Sequence, residues 1–289
     1  MKSISLIIVN YYSKNLIEEL LKTLPEVIKK EGEIIIVNNS PDEEIYFKEY
    51  ENLKVINNEG NLGFGKAVNI GVKESKGEYL VIVNPDVKFI KGFKKALEFI
   101  KKNKRISMVF PLIIDKEGKK GVFFREMEYG FRTFIWMMGY DEFLEKKERR
   151  RIKERYISSF PMCCCLIPSK IFKKIGGFDE SFFLFKEDED FERRLRRENL
   201  YLYFYPEWVV YHEFGATHEE SDFAFYHRVM SLYLFYKKHQ KYFYPVIRVL
   251  LPIFLLLKFF LRKCDLKYFL ISLNLYNKLL RHILYLLYF

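Results

Sequence analysis

Short apolar runs alternate with amphipathic segments over roughly the first hundred residues, and this alternation constrains the fold more than any other feature. The apolar runs cover residues 4–9, 33–37, 53–57 and 79–83. Helical patterns cover residues 13–24, 64–75 and 93–103, and Ser13 is the expected N-cap of the first. Continuous apolar strands separated by helices are typical of a parallel sheet that is covered on both faces. We therefore predict an α/β fold with a mostly parallel sheet.

Polar residues follow three of these predicted strands, at Asn10-Tyr11, Asn38-Asn39-Ser40 and Asn84-Pro85-Asp86. Ligands of open parallel sheets bind at the carboxyl ends of the strands, so these residues are expected to share one cleft. A carboxylate such as Asp86 in that position can hold Mg²⁺ or Mn²⁺ together with the phosphates of a nucleotide. A simple Pro-Asp turn is the alternative that this tripeptide leaves open.

A glycine-rich loop, NLGFGKAVN, begins the second predicted helix. Gly63 would allow the backbone to approach a ligand closely, and the start of the helix favours an anion. Lys66 is placed to reach a phosphate, or else it is an ordinary solvated helix residue. The loop matches neither a full dinucleotide fingerprint nor a P-loop, so by itself it predicts little.

Four carboxylates, at residues 187–190, begin a later predicted helix whose end is basic. Capping and the helix dipole account for part of this cluster. A crowded, partly desolvated carboxylate also binds protons more tightly, which suits a general base. The following stretch, LYLYFYPEWVVYHEF, predicts two short strands, and His212 lies at the end of the second. A single histidine is more often structural than a ligand, but a strand end favours a functional role.

The chain has a net charge of +11, which fits nucleic acid, an anionic membrane or phosphorylated substrates. The charge is concentrated in an insertion at 116–161 and in a tail at 221–289 that have apolar faces, so we expect no nucleic acid partner. The apolar run at 249–257 is too short to span about 30 Å of hydrocarbon. We expect a tail helix at the membrane interface; packing on the catalytic domain or homodimer formation are the alternatives.

The four cysteines show no CxxC spacing, and the first apolar run is too short for a signal peptide. We therefore expect free thiols and a cytoplasmic protein, held peripherally at the inner face of the cell membrane.

Five stretches, taken in order, resemble the family 2 glycosyltransferases, and in particular the rhamnosyltransferase-like members that build bacterial surface polysaccharides. They are SLIIVNYYS, IIIVNNSPD, NNEGNLGFGKAVNIGVKESKGEYLVIVNPDV, IGGFDESFFLFKEDEDFERRLRRENLYLYFYPEWVVYHEFGATH and YHRVMSLYLFYKKH, and they cover 107 of the 289 residues. The resemblance implies a GT-A fold in residues 1–220, followed by a helical appendage in 221–289. It also implies a nucleotide-diphosphate sugar as donor and a glycan or lipid-linked acceptor.

The resemblance assigns a role to each matching residue. Asp86 would bind Mg²⁺ or Mn²⁺ bridging the diphosphate, Asn84 fills the first place of the same DxD-like element, and His212 would complete the metal site. Asp188 would be the general base of an inverting displacement.

Asn10, Tyr11 and Asn38 would line the nucleotide pocket, although many members have an aspartate where this chain has Asn38. Two other functions stay open at this point. A nucleotidyltransferase would lack the Glu-Asp helix and carry a glycine-rich signature near its N-terminus, and a non-catalytic basic protein would bind through its charge.

Overall fold

This computed structural model describes residues 3–116, 118, 120–121, 156–157, 160, 162–212 and 222–260. The described residues form two compact units. The larger contains those up to residue 183 and those from 187 to 212, and the smaller contains 184–186 and 222–260. Most of the predicted 116–161 insertion lies outside the described residues, and so do 213–221 and 261–289. The predicted domain boundary at 220 and the end of the tail therefore stay predictions.

Within the described part of the larger unit, ten strands form one sheet. They are β1 (Ile4–Asn10), β2 (Gly32–Asn38), β3 (Leu53–Asn57), β4 (Tyr79–Val83), β5 (Val87–Lys91), β6 (Ile106–Ile114), β7 (Lys120–Gly121), β8 (Tyr156–Ile157), β9 (Cys164–Pro168) and β10 (Tyr201–His212). The main order is β3-β2-β1-β4-β9-β6-β10-β5, with β7 beside β6 and β8 beside β10.

The long ladders of the sheet are parallel. Strands β3, β2, β1 and β4 pair in parallel, and so do β6 and β10. Strand β9 lies antiparallel between β4 and β6, and β5 lies antiparallel to β10. The predicted α/β fold with a mostly parallel sheet is confirmed.

One expectation about strands is wrong. The segment predicted as two short strands is the single strand β10, whose register with β6 shifts between Tyr205 and Val209. Pro206 lies in this interval, and proline cannot donate a ladder hydrogen bond, so the pairing is irregular there although the strand continues.

Six helices accompany the described strands of the larger unit: α1 (Lys14–Lys22), α2 (Glu26–Glu31), α3 (Phe64–Glu74), α4 (Phe93–Lys102), α5 (Ser169–Ile175) and α6 (Glu187–Arg197). Helix α1 begins one residue after Ser13, as expected, but the side chain of Ser13 does not cap it. The Ser13 hydroxyl instead donates to the carbonyl oxygen of Tyr11 at 2.9 Å. The predicted N-cap position of Ser13 is therefore confirmed, although its side chain does not bond to the helix.

The core explains why the first strands are apolar on both faces. All residues of β1 and β4 are buried, because helices cover both sides of the sheet. Helix α3 packs its buried face on β1 and β2. Gly71 of α3 lies so close to the side chains of Ile7 and Val37 that a Cβ would meet them at 2.9 and 3.0 Å. This close packing fixes the glycine-rich loop that precedes α3.

The smaller unit contains two helices among its described residues, α7 (Asp222–His239) and α8 (Tyr244–Phe260). Helix α8 buries Ile247, Leu251 and Leu255. Its other face leaves Val249 and Ile253 half exposed. In the part of the chain that the structure describes, neither helix has the length and apolar character that crossing a bilayer requires.

Candidate active site

The register of the parallel strands brings the polar strand ends to one edge of the sheet. Asn10 lies opposite Asn38, and Ile8 lies opposite Val83, the last residue before Asn84. The backbone N–H of Asn39 donates to the carbonyl oxygen of Asn10 at 2.9 Å, which continues the pairing beyond the strands. Three loops that were predicted separately therefore leave the sheet side by side.

Asn10 and Asn38 belong to a buried hydrogen-bond network. Asn10 Nδ2 donates to Asn38 Oδ1 at 2.9 Å and to Glu43 Oε2 at 2.6 Å. Asn38 Nδ2 donates to the carbonyl oxygen of Glu43 at 2.9 Å and to Asn57 Oδ1 at 3.0 Å. Both amides thus bond to the protein and hold the loop after β2 against the end of β1. No role was predicted for Glu43, although the acidic pair after Ser-Pro-Asp was a visible signal.

Tyr11 and Tyr12 present an aromatic surface just beyond β1. Both rings are at least half exposed, and they contact each other edge to face with centroids 5.0 Å apart. Tyr12 has a positive φ of 49°, and its N–H donates to Ser40 Oγ at 2.7 Å. The loop after β2 therefore fixes the backbone that carries the exposed Tyr11 ring, which leaves a face on which a base could stack.

Gly63 is required by the fold itself. Its φ is +84°, and a Cβ there would collide with the carbonyl oxygen of Phe183. The N–H of Gly63 donates to Asn61 Oδ1 at 3.0 Å, and its carbonyl accepts from Asn39 Nδ2 at 3.3 Å. Asn39 was predicted only to share the strand-end cleft, and no role was predicted for Asn61. The asparagines clustered around the glycines were their signal.

Lys66 lies on the exposed side of α3. Its Nζ is 3.8 Å from Glu180 Oε2, and both side chains are about half exposed. The loop that carries Glu180 is held to the same helix, because the side-chain amide of Asn69 bonds to the N–H and the carbonyl of Phe178, each at 2.9 Å. The Lys66 ammonium therefore lies beside solvent with only a weak ionic partner.

Asp86 and His212 meet where β5 begins and β10 ends. Their strands are antiparallel, with His212 opposite Val87, and His212 Nε2 lies 3.2 Å from Asp86 Oδ2. Asp86 Oδ1 is buried and has no hydrogen-bond partner among the described residues. The turn itself is closed by the Val87 N–H, which donates to the Asn84 carbonyl at 3.3 Å. The structure therefore contains the turn and brings together the two predicted metal ligands.

This pair fits a cation that is shared with a substrate. The described residues contain no group of three or more His, Cys, Asp or Glu side chains able to hold a metal by themselves. Mg²⁺ is usually bound by one or two carboxylates together with substrate phosphates, and Mn²⁺ accepts the same oxygen ligands and imidazole. The unpartnered oxygen of Asp86 has the character of such a ligand.

The four acidic residues at the start of α6 have different surroundings. Asp190 is fully buried, and its Oδ2 accepts from Arg194 Nε at 2.8 Å. Glu187 and Glu189 are also buried, whereas Asp188 is partly exposed. Asp188 Oδ1 accepts from the N–H of Glu189 at 2.8 Å. Of the four carboxylates, Asp188 is the one that solvent and a substrate can reach.

Cys163 is buried, and two of the predicted site carboxylates influence its thiol. Burial raises the pKa of its thiol well above the ordinary value, and the negative charges of Asp86 and Asp188 raise it further. Cys163, Cys164 and Cys165 are free and buried, as predicted. Cys264 lies outside the described residues.

Comparison with known proteins gives a family match. The family model described as glycosyl transferase family 2 matches residues 5–176. The low-salt glycan biosynthesis hexosyltransferase Agl10 of Haloferax volcanii is 29% identical over 202 residues, which are 68% of this chain and 62% of that protein. An N-acetylglucosaminyl-diphospho-decaprenol L-rhamnosyltransferase of Mycobacterium tuberculosis is 25% identical over 249 residues, which are 76% of this chain and 79% of that protein.

Solved structures confirm the predicted GT-A fold. GalNAc-T7, crystallised with UDP, GalNAc and Mn²⁺, superimposes with a TM-score of 0.55 and 16% sequence identity. The match covers 84% of this chain and 49% of that chain. At this identity the likeness concerns the fold alone.

Proposed function

The chain belongs to glycosyl transferase family 2, as its sequence motifs predicted, and we propose that it moves a sugar from a nucleotide-diphosphate donor to a hydroxyl of a glycan or lipid-linked acceptor. The observation that carries this proposal is the Asp86–His212 pair beside the Asn10–Asn38 strand ends. A nucleotide sugar needs a pocket for its base and a cationic site for its diphosphate, and this edge of the sheet offers candidates for both.

The donor's nucleoside would lie against the ends of β1 and β2. Tyr11 supplies an exposed ring for the base. Asn10 and Asn38 act indirectly in this proposal, since both are buried and hydrogen-bonded to protein atoms. They keep the loop after β2 in place and so shape the floor of the pocket. This refines the direct contacts that the resemblance implied.

The donor's diphosphate would lie between the glycine-rich loop and Asp86. Asp86 and His212 would hold Mg²⁺ or Mn²⁺ there, with phosphate oxygens as further ligands, and Asn84 would lie beside them. When bound, the metal would neutralise negative charge on the departing diphosphate. Lys66 would add a second positive charge from α3. Gly63 keeps the loop close to Phe183 and thereby sets the position of Lys66.

Asp188 would act as the general base. Its carboxylate takes the proton from the acceptor hydroxyl while that oxygen forms a bond to the anomeric carbon of the donor sugar. The bond from the anomeric carbon to the diphosphate oxygen breaks in the same step, and the nucleoside diphosphate leaves with the bonding electrons. Attack on the face opposite the leaving group inverts the anomeric configuration. The partial exposure of Asp188 supports this assignment over its buried neighbours.

A membrane-bound acceptor would account for the exposed apolar residues of the smaller unit. The Mycobacterium tuberculosis relative is named for a decaprenol-linked substrate. Val246, Val249 and Ile253 repeat along one face of α8, and each is about half exposed. Arg248 lies on the same helix. An exposed apolar stripe with a nearby cation is suited to contact with an anionic lipid surface.

A donor panel tests the proposed activity. Purified protein would be incubated with individual nucleotide sugars, Mn²⁺ or Mg²⁺ and polyprenyl-diphosphate-linked or free glycan acceptors, and products would be identified by mass spectrometry and NMR. We expect one donor to be used, with loss of activity in excess EDTA and inversion at the anomeric carbon. Failure of every nucleotide sugar to bind, with and without metal, would contradict the proposal.

Liposome flotation tests the membrane contact. The triple variant Val246→Ser, Val249→Ser and Ile253→Ser should float less with anionic vesicles than the wild type, while Met230→Ser on α7 serves as the matched control. Equal flotation of wild type and triple variant would contradict lipid contact by this face. If neither protein floats but the triple variant changes oligomeric state, the face instead binds a second copy of the chain.

A further inference from the structure

Two consecutive non-glycine residues immediately before α6 have left-handed backbone conformations. Phe185 has φ 68° and Lys186 has φ 65°. Residues other than glycine rarely adopt this region, because Cβ approaches the carbonyl oxygen, and a pair of them persists only where the surroundings impose it. The chain passes from Lys186 directly into Glu187 and Asp188, the first two residues of α6.

Helix α7 supplies the contacts that impose this conformation. The Ser231 hydroxyl donates to the carbonyl oxygen of Leu184 at 2.7 Å. The Arg228 guanidinium lies 4.3 Å from the centroid of the Phe185 ring. The Lys186 ammonium lies 5.6 Å from the centroid of the Phe235 ring. Each of the three residues 184–186 is therefore held by a different residue of one helix.

The three contacts of α7 are one buried hydrogen bond and two cation–aromatic contacts. Ser231 is buried, and a buried hydroxyl that donates to a backbone carbonyl fixes the position of that carbonyl. The two cationic groups lie over aromatic rings, an arrangement that is favourable only within about 6 Å. Helix α7 thus contacts the backbone at Leu184 and the side chains of Phe185 and Lys186.

We propose that Ser231 and Arg228 are positioning residues for the sugar-transfer step: they hold Leu184–Lys186 in its strained form, and the chain continues from Lys186 into Glu187 and the proposed base Asp188. This inference rests on the proposed role of Asp188 as base. Neither residue touches the reacting atoms in this account. They act through the backbone of the three residues that precede Glu187.

The kinetic signature of such a role differs from that of a donor-binding residue. Ser231→Ala should lower kcat about fivefold, the factor that corresponds to loss of one ordinary buried hydrogen bond. The KM for the donor should stay within twofold of the wild-type value, because the proposed donor site uses the ends of β1, β2 and β4. Ser231→Thr keeps the hydroxyl and should recover most of the rate, and Met230→Ala on the same helix should leave it unchanged.

A second pair of variants separates positioning from general loss of structure. Lys186→Ala and Lys186→Gly both remove the ammonium from the Phe235 ring, but only glycine adopts a positive φ without steric cost. In the Ser231→Ala background, we expect Lys186→Gly to restore more kcat than Lys186→Ala. If Ser231→Ala does not fold, Arg228→Gln serves as the second perturbation, and the same comparison is made in its background.

Hydrogen exchange provides a readout that needs no activity. Amides of 184–188 should exchange several times faster in Ser231→Ala than in the wild type or in Met230→Ala, while those of β1 and β4 stay unchanged. If wild-type protein transfers no sugar but this exchange difference appears, the proposed function fails. The contact of Ser231 with Leu184 would still be shown to hold residues 184–186. If wild-type protein is active and folded Ser231→Ala equals it in kcat and in exchange, or if the glycine and alanine variants behave alike, the inference is wrong.

Discussion

His212 Nε2 lies 3.2 Å from Asp86 Oδ2, at the point where the end of β10 pairs with the start of β5. This contact depends on sheet pairing between segments that are far apart in the sequence. It joins an imidazole to a carboxylate whose second oxygen is buried and has no hydrogen-bond partner among the described residues. In the proposed site, a divalent cation shared with a diphosphate would bind to both side chains.

Replacing His212 tests the imidazole as a metal ligand. His212→Ala should weaken Mn²⁺ binding in the presence of a nucleoside diphosphate at least about tenfold, because histidines in or next to a metal site typically contribute that much. Titration followed by electron paramagnetic resonance of free Mn²⁺ measures the change. His239→Ala on α7 is the control. An unchanged Mn²⁺ affinity would remove His212 from the metal site.

Asp188 and Asp190 should respond in opposite ways to substitution. Asp188→Asn should lower kcat by roughly 10²–10⁴, the usual contribution of a general base, with little change in donor binding or in melting temperature. Asp190→Ala should instead destabilise the fold by about 3 kcal/mol, because it removes the fully buried carboxylate that pairs with the Arg194 guanidinium. Kinetics and thermal unfolding of both variants check this. An Asp188→Asn enzyme with full activity would refute the assignment of the base.

Lys66 should contribute to the binding affinity for the donor but very little to the stability of the fold. Its contact with Glu180 is half exposed and 3.8 Å long, and such pairs contribute at most about 1 kcal/mol. A charge-assisted bond to a diphosphate is stronger, so Lys66→Ala should raise the donor Kd roughly 10-fold to 100-fold without lowering the melting temperature. Lys54→Ala removes an equally exposed ion pair with Glu74 and is the matched control. Equal donor affinity of both variants would contradict the role of Lys66.

Asn38 should not tolerate the aspartate found in many family members. Its Nδ2 donates to the Glu43 carbonyl and to Asn57 Oδ1, and a carboxylate oxygen in its place would face two acceptors. Asn38→Asp should lower the free energy of unfolding by about 1–3 kcal/mol. Asn57→Asp keeps the accepting oxygen and should be close to wild type. Urea unfolding compares the two, and a fully stable Asn38→Asp would show that the network rearranges.

The buried thiol of Cys163 should make stability depend on pH above neutrality. Burial holds the pKa of Cys163 above its ordinary value of 9.0, so the folded state keeps the proton when the unfolded state loses it. The contribution of the protonated Cys163 thiol to the unfolding free energy is fully present below pH 9. It is lost as the pH rises toward the folded-state pKa. Between pH 8 and 10, Cys163→Ala should therefore lose about 1 kcal/mol less unfolding free energy than the wild type. Parallel pH curves for the two proteins would contradict the raised pKa.

The sequence was sufficient for the features that depend on local patterns. The apolar runs that form β1, β2 and β4 are buried on both faces, which is why their positions were predictable. The parallel register then brings Asn10 opposite Asn38 without further information. Asp86 was recognisable because it follows one of these strands.

Features that depend on pairing between distant segments were less predictable from the sequence. Strands β5 and β6 were not predicted, and β9 is inserted antiparallel to its neighbours, an orientation that its apolar residues do not encode. The asparagine network needs three loops at once, so the bonds of Asn39 to Asn61 and Gly63 were not predictable before the fold was known. The same holds for the contact of Ser231 with Leu184.

The most direct test of the account is whether Asp86 couples metal binding to nucleotide binding. Isothermal titration of a nucleoside diphosphate would be carried out with and without Mn²⁺ on wild type, Asp86→Ala and Glu98→Gln, an exposed carboxylate on α4 that serves as control. We predict that Mn²⁺ strengthens nucleotide binding at least tenfold in wild type and Glu98→Gln and has no effect in Asp86→Ala. Equal enhancement by Mn²⁺ in the Asp86→Ala protein would contradict the proposed site.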